Sequence, residues 1–255
     1  MAEPILEARG IIKTFGHVHA LRGANFAANA GEVVALVGDN GAGKSTLAKC
    51  LSGVYQPDAG ETLLEGRQVR LSSPVAALHL GIETVYQDLA LADDLEASAN
   101  LFLGRELTMG GGRLRWLGIL DQRRMRAQSV AAFKDLGVTL QDANMRLASL
   151  SGGQRQSVAV ARSAVWASKA ILMDEPTAAL GVVQRQHVLE LVRRVRDLGV
   201  AVVFISHNMP EVLEIADRIE VFRLGLRVGR FKAGGTTVEQ LVGAMTGALK
   251  QEDAA

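Results

Sequence analysis

The sequence predicts an α/β fold built on a mostly parallel sheet with helices on both faces. Two observations carry this. Val33–Val37, Ala170–Met173 and Val200–Ile205 are short, wholly apolar runs with the length of strands buried on both sides. They alternate with helical patterns, the clearest being Gln184–Leu198, where Val188, Leu191, Val192, Val195 and Leu198 recur at helical spacing. A third observation points to function. The first apolar run leads into Gly38-Asp39-Asn40-Gly41-Ala42-Gly43-Lys44-Ser45-Thr46, which fits the phosphate-binding loop pattern of glycine, four residues, glycine, lysine and a hydroxyl residue.

Bulk properties narrow the reading. The 255 residues suffice for one large α/β domain or two small ones. Apolar residues make up 48% and aromatics only 4%, so the core is aliphatic. A net charge of +1 gives no field that would draw the chain to nucleic acid or anionic lipid, and nucleic acid is not expected as a partner. The single cysteine, Cys50, can form no internal disulfide and reads as a small core residue. Met1-Ala2-Glu3-Pro4 has no charged-then-apolar signal pattern. No apolar run approaches the ~18 residues that would span a bilayer. A cytosolic protein is expected, reaching a membrane through a partner.

In chain order, Ile5–Phe15 and Val18–Phe26 alternate loosely and read as strands of a small sheet. Val33–Val37 and its loop follow. Lys44–Ser52 reads as a helix ended by Gly53, and Pro57–Gly60 as a turn. Thr62–Leu64 and Gln68–Leu71 form a hairpin around Gly66, and Ile82–Tyr86 is a short strand ending at Gln87. From about Leu89 to Leu147 the pattern is helical, with helices at Ala97–Leu103 and Asp121–Leu136 and a break at Gly110-Gly111-Gly112. The second of these places Val130, Phe133 and Leu136 on one side, with Arg123, Arg124 and Arg126 as a solvated face. Ser151–Ser168 is a long helix. Asn208 and Glu211 mark a helix start after Val200–Ile205. Ile219–Phe222 and Leu226–Val228 form a hairpin around Gly225, before a C-terminal helix and frayed tail.

The residues that carry chemistry lie at the ends of these strands. In the loop, backbone N–H groups must converge on one polyanion, and a Cβ at Gly41 or Gly43 would obstruct the turn. The following helix offers unpaired N–H groups and a positive dipole end. Lys44 adds a charge for the β- and γ-phosphates, and Ser45 a hydroxyl for Mg²⁺. Ala170–Met173 ends in Asp174 and Glu175. The first can hold Mg²⁺; the second, pointing the other way by strand alternation, can polarise a water. His207 follows Val200–Ile205 and can donate to a phosphate oxygen or orient that water. Gln87 can reach the metal or the water. His17, His19, His79 and His187 read as structural. Leu150-Ser151-Gly152-Gly153-Gln154 opens a long helix with bare N–H groups and a hydroxyl, which makes a second anion site. One nucleotide needs one such site, so the simplest resolution is two chains facing each other.

Phosphate loop, Gln87, Leu150–Gln154, Asp174-Glu175 and His207 occur in the order and approximate spacing of ABC ATPases, and the chain resembles the nucleotide-binding subunit of an ABC transporter over nearly its whole length. The resemblance implies a P-loop NTPase (RecA-like) core with an antiparallel β-subdomain and an inserted α-helical signature subdomain, about residues 89–160, in a single ABC ATPase domain spanning 1–255. It implies ATP and Mg²⁺ as cofactors. It makes Phe15 the aromatic that stacks on adenine, where tyrosine is commoner in the family. Ser151, Gly152 and Gly153 would contact the γ-phosphate in the opposite protomer, Glu175 would be the catalytic base, and His207 the switch histidine. After Glu175–Leu180 the family usually has Asp, which helps couple the two sites; here the residue is Gly181.

Glu175–Val182, Phe204–Pro210 and Arg223-Leu224-Gly225 are similar to the sugar-import ATPases of the ribose, xylose and fructose type. Many of those fuse two ATPase halves; one half implies a homodimer. The partners implied are an integral membrane permease touched by the helical subdomain and, indirectly, a periplasmic sugar-binding protein. The place implied is the cytoplasmic face of the inner membrane. Within transport, the alternative reading is an ATPase for the import of amino acids or another small solute. Soluble ABC proteins acting on DNA or ribosomes usually carry tandem domains, long insertions or basic segments, which this chain lacks. A small-molecule kinase has no use for Leu150–Gln154.

Overall fold

The computed structural model describes residues 3–109, 118–140, 142–178 and 180–249, which group into two compact units. The first comprises 1–87, 166–176 and 192–255; the second comprises 88–165 and 177–191.

Among the described residues the first unit holds ten strands: β1 (Leu6–Phe15), β2 (Val18–Ala28), β3 (Val33–Gly38), β4 (Ala59–Leu64), β5 (Arg67–Val69), β6 (Ile82–Val85), β7 (Ala170–Asp174), β8 (Ala201–Ile205), β9 (Arg218–Arg223) and β10 (Leu226–Lys232). They form a four-stranded sheet in the order β2-β1-β4-β5 and a six-stranded sheet in the order β10-β9-β3-β8-β7-β6. The small sheet is antiparallel. The large one is parallel except for its β9–β10 edge. Burial on both faces explains the unbroken apolar run of β3. Val34 and Leu36 join a core with Leu6, Phe26, Leu47 and Phe222, while Ala35 and Val37 join a second core with Val212, Ile219 and Leu241. Cys50 lies in the first core at 1% exposure, and burial pushes its thiol up to about 11. It is a packing residue.

Helix α1 (Lys44–Leu51) follows the loop after β3. Helix α2 (Pro74–His79) is too short to carry a periodic signal in the sequence; Ser73 caps it by accepting the Ala76 N–H at 3.2 Å, with Pro74 in its first turn. The turn expected over Pro57–Gly60 ends sooner, because Ala59 and Gly60 already belong to β4 and Ala59 pairs with Ile12.

The second unit is helical. It contains α3 (Ala97–Leu101), α4 (Gln122–Asp135), a 3-10 turn at Leu147–Ser149, most of α5 (Gly152–Trp166) and the first part of α6 (Val182–Asp197). Gly110-Gly111-Gly112 lie outside the described residues. The buried face of α4 is Met125, Ser129 and Phe133, and Leu136 just past its end is buried too. Val130 is 54% exposed. It shares helical spacing with Phe133 and Leu136, the side the sequence groups together, but lies five residues from Met125, off the i, i+4, i+8 row that packs. Arg123, Arg124 and Arg126 are all exposed as expected, and Arg126 also grips Glu96 with two nitrogens at 2.6 and 3.1 Å. Leu198, also expected in a packed face, is exposed because α6 ends at Asp197. Helices α7 (Met209–Ile215) and α8 (Val238–Thr246) return to the first unit.

Candidate active site

Parallel strands deliver their C-terminal ends to one edge of the sheet. Leu36 of β3 is in register with Ile205 of β8, and Ile205 with Asp174 of β7. The segments that follow, Gly38–Lys44, Glu175 and Ser206–Asn208, therefore emerge side by side. Val85 of β6 pairs with Met173, so Gln87, in the exposed turn beyond β6, leaves from the same edge.

The loop is braced from inside and outside. The Ala42 N–H donates to the Asp39 carbonyl at 3.0 Å, and the β9–β10 turn donates the Gly225 N–H to the Ala42 carbonyl at 3.0 Å. Gly43 has φ +103°, and a Cβ there would meet the Ala20 carbonyl oxygen at 2.8 Å and Leu21 Cδ2 at 2.9 Å. At Gly41 no atom lies within 4 Å of a Cβ, so the requirement for glycine there is its φ of +81° alone, not crowding. Asp39, Asn40, Gly41 and Ser45 are exposed and Thr46 half-buried. Lys44 is 8% exposed, with Nζ donating to the carbonyls of Gly38 (2.7 Å) and Asp39 (2.9 Å). Burial pushes its pKa down; the carboxylates of Glu175, Asp174 and Asp39 pull the other way.

Asp174 is the last residue of β7. Burial holds its carboxyl above the usual range, partly offset by a hydrogen bond with Ser45 and the charges of Lys49 and Lys44, while Glu175 adds to the rise. Ser45 and Asp174 thus present two hard oxygen donors side by side at the start of α1. Among the described residues no cluster of three His, Cys, Asp or Glu could hold a metal. The donor set fits a small hard cation completed by water and phosphate oxygens, as Mg²⁺ is.

Glu175 turns out of the strand with φ +50°, a left-handed conformation uncommon for a residue with a Cβ. Its N–H still donates to the Ile205 carbonyl at 2.9 Å, extending the β7–β8 pairing by one residue. Its Oε1 lies 2.8 Å from His207 Nδ1. With the proton on Nδ1, the imidazole donates to the carboxylate and leaves Nε2 facing outward. The His207 side chain is 68% exposed and that of Glu175 28%, so the pair is open to a ligand. The turn beneath His207 is fixed by buried Ser206, whose Oγ accepts the Asn208 N–H at 3.1 Å, and by Asn208, which caps α7 through the Glu211 N–H. Nothing in the sequence announced the Glu175–His207 contact; only the pairing of β7 with β8 creates it.

Phe15 ends β1 and is 42% exposed. Its ring meets that of Tyr55 edge to face, centroids 5.1 Å apart, and Lys13 Nζ stands 5.5 Å from its centroid. Sequence reasoning passed over Tyr55, although each ring in so aromatic-poor a chain carries weight.

In the second unit, Leu150–Gln154 forms a reciprocal cap. Ser151 Oγ accepts the Gln154 N–H at 3.3 Å, and Gln154 Oε1 accepts the Ser151 N–H at 2.9 Å. The N–H groups of Gly152 and Gly153, in the first turn of α5, have no intrahelical acceptor. Leu150 is buried and anchors the turn. Gly153 has no room for a side chain, since Gln184 Cβ lies 2.7 Å from where its Cβ would stand; around Gly152 there is open space. Gly181 accepts the Arg185 N–H at 2.9 Å at the start of α6.

Residues 21–178 match the ABC transporter family. The chain is 49% identical over 247 residues to the fructose import ATP-binding protein FrcA of Rhizobium meliloti, covering 96% of this chain and 95% of that one. It is 47% identical over 242 residues to the xylose/arabinose import ATP-binding protein XylG of Sulfolobus acidocaldarius, covering 95% and 94%. Among solved structures, the ADP conformation of MJ1267, an ATP-binding cassette of an ABC transporter, superposes with a TM-score of 0.79 at 25% identity, covering 96% of each chain. The fold, the phosphate loop with its strand-end carboxylates, and likeness running from end to end agree: the chain belongs to the ABC transporter family, as an ATPase.

Proposed function

We propose that this chain is the ATP-hydrolysing subunit of an importer that drives uptake of a monosaccharide through a separate membrane permease. The functions its relatives are named for, fructose and xylose/arabinose import, support the substrate class. The observation that carries the hydrolytic reading is the 2.8 Å contact between Glu175 and His207 at the sheet edge that also bears Lys44 and Asp174.

In this reading Phe15 stacks on adenine. The N–H groups of Gly38–Thr46 and the desolvated ammonium of Lys44 hold the β- and γ-phosphates, and a charge out of water pairs more strongly than an exposed one. Ser45 and Asp174, with Gln87, would hold Mg²⁺, which when bound neutralises charge on the phosphates. Glu175 accepts the proton of the attacking water. His207 keeps that carboxylate aimed through Nδ1 and offers Nε2 to the γ-phosphate or the water. Ser151, Gly152 and Gly153 reach the nucleotide of the opposite protomer, so the working state is a homodimer with two shared sites. The helical second unit meets the permease, and a periplasmic sugar-binding protein delivers the cargo. The subunit works at the cytoplasmic face of the inner membrane as a peripheral protein; no described helix is long and apolar enough to cross a membrane.

The test is uptake. A strain lacking the gene is given radiolabelled fructose, ribose, xylose and a panel of amino acids. Loss of one monosaccharide, restored by the native gene and not by Glu175→Gln, is expected. Loss of amino-acid uptake with all sugars unaffected overturns the sugar assignment.

A further inference from the structure

The ring of Phe15 sits at a hairpin tip, half out in solvent, with Lys13 Nζ of its own strand 5.5 Å from its centroid. One short connector, residues 55–58, adds contacts to both. The Tyr55 ring meets Phe15 edge to face at 5.1 Å and an interplanar angle of 66°. Asp58 accepts Lys13 Nζ and the Thr14 N–H, each at 2.7 Å, and donates its own N–H to the Ile12 carbonyl at 2.8 Å. Tyr55 in turn packs partly buried against the core that includes Leu47 and Leu51. Its N–H donates to the Lys49 carbonyl at 3.0 Å, and Lys49 Nζ lies 5.5 Å from its ring. Lys49 belongs to α1, the helix that begins at Lys44.

From this geometry we infer that Tyr55 is a positioning residue for the nucleotide base: it holds the Phe15 ring in one orientation and ties it to the phosphate-loop helix. The inference rests on the reading of Phe15 as the surface on which adenine stacks. A ring ordered before the base arrives loses less entropy on binding than one that must be ordered by it. Edge-to-face pairs have favourable energies beyond their buried area, which sets the scale of the effect.

The experiment measures calorimetric Kd values for MgATP and, as a baseless probe of the phosphate contacts, for magnesium tripolyphosphate. Tyr55→Leu keeps apolar bulk against the core while removing the ring edge. It is expected to raise the Kd for MgATP about two- to tenfold and to leave that for tripolyphosphate unchanged. Tyr55→Phe retains the edge and is expected to bind ATP like the native chain. With Phe15→Ala already present, Tyr55→Leu is expected to add nothing. If Phe15→Ala weakens ATP and Tyr55→Leu does not, the role of Tyr55 is refuted while that of Phe15 stands. If Phe15→Ala leaves ATP affinity unchanged, the base-stacking reading falls and this inference with it. Equal weakening of ATP and tripolyphosphate by Tyr55→Leu would mean that Tyr55 acts on the phosphate loop, and would also overturn the inference.

Discussion

Replacing Glu175 by glutamine tests the chemistry at the centre of the site. The backbone at this residue is left-handed, φ +50°, and glutamine occupies that region no less readily than glutamate. The N–H bond to Ile205 is untouched, and an amide oxygen can still accept from His207 Nδ1 at the observed 2.8 Å. Stability should therefore stay within ~0.5 kcal/mol of native, as for substitutions that leave packing and hydrogen bonds in place. What is lost is the ability to take a proton. General-base catalysis contributes about 10²–10⁴-fold, or roughly 2.7–5.4 kcal/mol of activation free energy. Steady-state phosphate release should fall by that factor, with the Kd for MgATP within about threefold of native. Because nucleotide binds but does not turn over, sedimentation with MgATP should show a stable dimer. Residual turnover above a tenth of native would refute Glu175 as the base. A fall in turnover matched by an equal rise in Kd would move Glu175 from chemistry to binding.

Three further outcomes are expected. Phe15→Ala should weaken MgATP binding by ~1–3 kcal/mol in calorimetry, the worth of a stacked base on an aromatic ring. Lys44→Ala and Gly152→Asp, each inactive alone, should trap nucleotide when mixed, since one of the two shared sites is then intact; heterodimers confirmed by cross-linking that trap none would refute shared sites. Gly152 serves here where Gly153 would not, because Gln184 leaves no space at Gly153. Glu32→Gln concerns the fold. Burial pushes the Glu32 carboxyl up, but hydrogen bonds from Arg218 and Asn29 outweigh it and hold it below its usual value of 4.5. A depressed folded pKa contributes stability above the unfolded value and loses it as pH falls through the folded one. Urea unfolding should show a deficit of about 1.5–3 kcal/mol at pH 7, shrinking as the pH drops well below 4.5; a deficit independent of pH would mean the carboxylate charge is not what holds Arg218.

The sequence by itself determined the parallel sheet, because strands buried on both faces must be apolar without interruption, and β3, β7 and β8 are. It determined the phosphate loop, because glycine, lysine and hydroxyl at fixed spacing directly after a strand leave little conformational choice. Local chemistry likewise made the Asn208 cap readable within four residues, whereas the pairing of Ser151 with Gln154 emerged only in the structure. Where the sequence misled, at Val130 and Leu198, the error came from treating helical spacing as burial; which side of a helix packs, and where it ends, is settled by neighbours far along the chain. The same limit hid the site's most informative contacts. Glu175 and His207 are 32 residues apart, and Phe15 and Tyr55 lie on different elements of the first unit. No periodicity links such residues. Only strand register and the packing of α1's end against the β1–β2 hairpin bring them together, and those are properties of the folded sheet as a whole.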